Sequence, residues 1–81
     1  MQRLSDRAPG GVPASALTER QRAVAALVAE GATNRTIAER LGLEHGAVSA
    51  HVAHLLWRLG LSCRAQVAIW AARQGLYPRH G

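Results

Sequence analysis

Residues 34–55 read NRTIAERLGLEHGAVSAHVAHL, and three residues in this stretch decide the architecture. Ala38, Gly42 and Val48 stand at the spacing Ala-x3-Gly-x5-Val. A small residue at Ala38 lets two helices cross closely. Gly42 can take the positive φ that a tight turn demands. Val48 anchors a second helix to the core, and Ile37, Leu41 and Leu43 fill the space around it. The spacing predicts one helix over about Asn34 to Leu41 and another over about His45 to Leu59. The second helix stands proud of the first, with its far face free to enter a duplex major groove about 12 Å wide. A plain helical hairpin in a bundle has similar apolar spacing.

Outward from this stretch the pattern stays helical. Val48, Val52, Leu55 and Leu59 recur at i, i+4, i+7 and i+11, one face of a helix that Gly60 closes. Its start is poorly capped, although the Glu44 carboxylate suits the positive end of the helix dipole. Upstream, Thr18 and Gln21 form a capping box for a helix over Glu19 to Glu30. That helix buries Val24, Leu27 and Val28 and ends at Gly31 in a left-handed cap. Thr33 caps the helix that follows. A fourth helix starts after Ser62 and ends near Gln74, with Gly75 as its cap. No segment alternates with period two, so the fold class is all-α with four helices and no sheet. Pro9, Gly10, Gly11 and Pro13 interrupt residues 1–16, which read as a disordered tail or interdomain linker. Residues 17–76 form the domain, and 77–81 a C-terminal tail.

The 81 residues suit one domain, and 48% are apolar, enough for one small core. Trp57, Trp70 and Tyr77 are the only aromatics, so the core must be aliphatic. Cys63 is the single cysteine, which excludes an internal disulfide and favours a reducing cytoplasm. No run approaches the roughly 20 apolar residues of a membrane span, and no signal peptide is evident. The net charge is +5 and all ten cations are arginine. On charge alone, a polyanionic partner and a merely solvated surface are equally open. Enzyme chemistry is not expected. There is no glycine-rich phosphate loop, no carboxylate pair at helical spacing and no nucleophile with a base beside it. No cofactor is expected. His45, His51 and His54 share one helix, but Cys63 and His80 lie at no ligand spacing, so no metal is expected either.

Read whole, LTERQRAVAALVAEGATNRTIAERLGL (17–43), AVSAHVAHLLWRLGL (47–61) and SCRAQVAIWAARQGL (62–76) resemble a bacterial family. It is the LuxR/NarL-type (GerE-like) helix-turn-helix DNA-binding domain of transcriptional regulators. The resemblance rests on Leu17-Thr18, Arg20, Gly31, Asn34, Ile37-Ala38, Leu41, Val48, His51, Leu55, Leu59-Gly60, Arg64 and Gly75-Leu76. It implies sequence-specific binding of double-stranded DNA for transcriptional regulation, in the manner of a response regulator. Helix three would read the major groove and helix four would join a homodimer. Residues 1–16 would follow a receiver or ligand-sensing domain. RNA polymerase is a further candidate partner.

Residue by residue, the positions that meet base edges map to Ser49, Ala50 and Ala53. Phosphate contacts map to Thr33, Asn34, Arg35, Thr36, His54 and Arg58, and the dimer interface to Ile69, Trp70 and Arg73. Arg20 and Arg64 match family basic positions, and each is open to a structural ion pair, with Glu39 or Glu30 as acceptors. Several positions depart from the family. Glu44 and Ala47 stand where Ser or Thr is usual, and Ser49 where Lys is common. None of the base-facing residues is basic. Ser49 can hydrogen-bond a base or phosphate, while Ala50 and Ala53 can touch thymine methyls. Modest intrinsic affinity is expected, with specificity leaning on DNA shape and dimerisation. Trp57 lies in line with the base-facing residues, to pack on the linker or to mark a protein interface. The alternative function is a protein-interaction domain on a helix-turn-helix scaffold with a weakened DNA face, anchored by Trp57. Salt-dependent binding to duplex DNA discriminates the two.

Overall fold

The computed structural model describes residues 11–76. Among them a 3-10 turn at Ala14–Ala16 precedes α1 (Glu19–Glu30), α2 (Asn34–Leu41), α3 (His45–Leu59) and α4 (Arg64–Arg73), with no strand. Local chemistry sets the helix ends. The Thr18 hydroxyl accepts from the Gln21 amide at 3.0 Å, and the Gln21 side-chain oxygen accepts from the Thr18 amide at 2.9 Å. This reciprocal pair satisfies two amides that α1 could not satisfy itself. Thr33 Oγ1 accepts from the Thr36 amide at 3.1 Å and starts α2. Glu44 makes no side-chain cap bond, so α3 begins without one.

The α2–α3 turn depends on Gly42. Its φ is +68°, and a Cβ built there would meet no atom within 4 Å. The requirement is therefore conformational rather than spatial. The turn lets the Leu43 amide donate to the Ala38 carbonyl at 2.9 Å, which folds Leu43 back against the core.

Leu17, Val24, Leu27, Val28, Ile37, Ala38, Val48, Val52, Leu55, Leu59, Val67, Trp70 and Ala71 form one buried cluster. α1 packs chiefly on α4, and α2 on α3, with α1 also touching α3. No polar side chain is buried among the described residues. The domain is held by aliphatic burial, worth roughly 1.5–3 kcal/mol for each large side chain.

Residues 12–16, in the stretch expected to be tail or linker, are held against the domain. The Trp70 indole N–H donates to the Val12 carbonyl at 3.1 Å, and the Ala14 amide donates to Gln74 Oε1 at 3.0 Å. Arg22 Nη1 donates to the carbonyls of Leu17 at 2.8 Å and Ala14 at 3.5 Å. Val12 and Ala14 also pack against the core. Glycine and proline mark irregular backbone, but irregular backbone can still be held by distant donors. The rest of the tail, residues 1–10, and the C-terminal tail 77–81 lie outside the described residues.

One expectation is corrected: the resemblance puts Trp70 with Ile69 and Arg73 at a dimer face, and the structure does not. Trp70 is 5% exposed and belongs to the core. It lies three residues after Val67 and one before Ala71, and these three form the inward stripe of α4. Ile69 and Arg73 are exposed.

Candidate nucleic-acid interface

The buried face of α3 consists of Val48, Val52, Leu55 and Leu59. Helical geometry then turns Gly46, Ser49, Ala50, Ala53, His54 and Trp57 outward, at spacings of three and four. All six are exposed, and no described segment covers them. Over the turns from Gly46 to Ala53 the stripe carries only small side chains, so an approaching surface could come close to the helix backbone. Farther along, Trp57 is 77% exposed, and its ring centroid lies 6.1 Å from that of His54. Ser49, Ala50 and Ala53 therefore share one open face.

No arginine stands on this stripe. Arg35 is exposed in the first turn of α2, and its Nε lies 3.7 Å from Glu39 Oε2 in an open i,i+4 pair. Such an exposed pair contributes little and leaves the guanidinium available. Arg58 is half-buried, and its Nη2 donates to the Ala16 carbonyl at 3.4 Å. Arg20 is exposed in the first turn of α1. Thr33 and Thr36 are joined at 3.1 Å between their hydroxyls at the start of α2. The first amides of any helix have no intrahelical acceptor, and they present partial positive charge outward.

Two of the side chains singled out in the sequence are engaged internally. Arg64 pairs with neither Glu39 nor Glu30. Instead, Nη2 donates to the Ala32 carbonyl at 2.6 Å and Nη1 donates to Asn34 Oδ1. Glu39 faces Arg35, and Glu30 accepts from Arg40 Nη2 at 3.2 Å. Asn34 is held at both ends of its amide, since Nδ2 donates to Ser49 Oγ at 3.4 Å. Its backbone amide is the group left for an anion. The sequence alone gave no sign of this Arg64–Asn34–Ser49 chain, because its members lie on three helices and share no period.

His45 is exposed and His51 half-buried. Among the described residues no three His, Cys, Asp or Glu side chains gather as a metal site. No helix among them is long and apolar enough to cross a membrane.

Comparison with known proteins agrees with this geometry. The family described as bacterial regulatory proteins, luxR family, matches residues 15–71. The nitrate/nitrite response regulator protein NarL of Escherichia coli K12 is 34% identical over 61 residues, 75% of this chain and 28% of that protein. The transcriptional regulatory protein LiaR of Bacillus subtilis is 34% identical over 76 residues, covering 94% of this chain and 36% of LiaR. The DNA-binding transcriptional activator DevR/DosR of Mycobacterium tuberculosis is 38% identical over 71 residues, 88% of this chain and 33% of that protein. The chain thus spans about a third of the length of these relatives. With the open stripe on α3 and a family match over most of its residues, the chain belongs to the luxR family of bacterial regulatory proteins, whose helix-turn-helix domain it carries.

Proposed function

We propose that this domain binds duplex DNA sequence-specifically to regulate transcription, with α3 lying in the major groove. The observation that carries the reading is the uncovered stripe of small residues on α3. Ser49, Ala50 and Ala53 meet base edges, where a hydroxyl and two methyl groups can read hydrogen-bonding groups and thymine methyls. Thr33, Arg35, Thr36 and the Asn34 backbone amide bind phosphate at the start of α2. His54 and Arg58 bind phosphate along α3, Arg58 by exchanging the Ala16 carbonyl for a phosphate oxygen. Two copies pair through the outward face of α4, with Ile69, 55% exposed, and Arg73 at the contact. The setting is the bacterial cytoplasm, with RNA polymerase as a further partner.

The test is a selection of bound sequences from random duplex DNA, followed by titration at two salt concentrations. The account expects a defined half-site and an affinity that falls steeply with salt, by a log–log slope of about 0.9 for each phosphate neutralised. Flat, sequence-blind binding contradicts it.

One observation favours a second reading. Trp57 is the most exposed large apolar side chain described, and it shares its stripe with no arginine. A protein-interaction domain on the same scaffold would use that stripe around Trp57. It would show no salt-dependent duplex binding.

A further inference from the structure

The α3 stripe carries one hydroxyl, and residues outside α3 control its hydrogen-bonding state. Arg64, the first residue of α4, is half-buried and anchored by its 2.6 Å bond to the Ala32 carbonyl. Its other terminal nitrogen donates to Asn34 Oδ1. A guanidinium can only donate. The Asn34 amide must therefore turn its oxygen toward Arg64, which turns its nitrogen toward α3, 3.4 Å from Ser49 Oγ. An amide nitrogen also only donates. Ser49 Oγ is consequently the acceptor in this pair. Its own O–H is left to point elsewhere, and Ser49 is exposed on the face proposed to meet DNA.

We infer that Arg64 and Asn34 are positioning residues that bias Ser49 to act as a hydrogen-bond donor toward the base it meets. This rests on the DNA-binding reading above and deepens it. A donor at that position favours a base offering an acceptor alone to the major groove, guanine through O6 and N7 or thymine through O4. It disfavours the amino groups of cytosine N4 and adenine N6. One competing acceptor exists for any helical serine, the carbonyl four residues earlier, here His45. If Ser49 turned to it, the hydroxyl would offer DNA only its second lone pair; the wild-type selection would then favour cytosine or adenine at that position, which overturns the inference.

The test compares wild type, Ser49→Ala and Asn34→Asp in selections from random duplex DNA at low salt. Ser49→Ala removes the hydroxyl from an exposed position and leaves the fold intact. It should flatten the preference at one position of each half-site by about fivefold, the net worth of one neutral hydrogen bond. Asn34→Asp is nearly isosteric and keeps an oxygen for Arg64. Its second oxygen accepts where Nδ2 donated, so it captures the Ser49 proton and turns the serine lone pairs outward. The same position should then invert, on the same strand, from guanine or thymine to cytosine or adenine.

A wild-type preference that survives Ser49→Ala overturns the inference. So does an Asn34→Asp variant that binds with the unchanged preference. Loss of all duplex binding by folded Asn34→Asp also overturns it, because the Asn34 side chain would then lie against the phosphates rather than behind Ser49. If Asn34→Asp does not fold, the Ser49→Ala selection decides alone. If wild type itself shows no salt-dependent duplex binding, the DNA-binding reading fails, and this inference with it. In the earlier cases DNA binding by wild type stands and only the positioning role falls.

Discussion

The inner and outer faces of α3 run along the same fifteen residues and are built from opposed materials. The inner face presents Val48, Val52, Leu55 and Leu59 to a closed aliphatic core, with Leu55 and Val48 fully buried. The outer face presents Gly46, Ser49, Ala50 and Ala53 to solvent. Neighbours within the chain specify each inner side chain, by volume and shape. None specifies the outer alanines, whose small size is useful only to something that must come close. Along one helix, stability and recognition are thus carried by different residues and can be altered separately.

The sharpest way to break that comparison is to substitute one residue on each face. Leu55→Ala should lower stability by about 2–5 kcal/mol, through lost transfer energy and a cavity. Ala53→Ser should change it by no more than about 0.5 kcal/mol. Urea unfolding of the two variants reads both, and equal effects would mean the faces are misassigned. The tryptophans supply a second contrast. Trp70→Phe removes the donor to the Val12 carbonyl and part of a packed ring, at about 1–3 kcal/mol. Trp57→Phe should be neutral within about 0.5 kcal/mol. Fluorescence sharpens the difference, since a soluble quencher should reach Trp57 and spare Trp70.

The helix ends were legible because their chemistry is local. Thr18 with Gln21, Thr33, and the glycines after α1, α2 and α3 each act within a few residues; α1 and α2 begin, and all three helices end, where these signals point. The outer stripe was legible for the same reason, since it follows from the apolar period alone. Long-range partners were not. Val12 and Trp70 are 58 residues apart, and Asn34 and Arg64 are 30 apart, so no window along the chain contains both members. Period also failed on α4. Apolar residues go most of the way round that helix, and only the neighbouring helices decide that Trp70 turns inward while Ile69 stays out.

The outer face can be altered in charge with the fold unchanged, and these effects are smaller. Ala50→Arg adds a cation to a stripe that has none. It should steepen the log–log salt dependence of duplex binding by about 0.9 and leave the melting temperature unaltered. Arg35→Ala should make that slope shallower by about the same amount, uniformly across sequences. Its pair with Glu39 is exposed and 3.7 Å long, so stability should change by less than about 0.5 kcal/mol. If Arg35→Ala instead altered the selected sequence, Arg35 would be a base reader and the division between centre and periphery would need redrawing.

The central claim concerns which surface the duplex covers, and thiol footprinting tests it directly. In a Cys63→Ser background, Ala53→Cys places a reactive thiol on the α3 stripe and Ala72→Cys places one on exposed α4. The account predicts that saturating duplex DNA slows alkylation of the Ala53→Cys thiol, by tenfold or more as an order of magnitude for near-complete occlusion, in proportion to the fraction bound. Equal alkylation of that thiol with and without bound duplex would contradict the account, whatever happened at position 72.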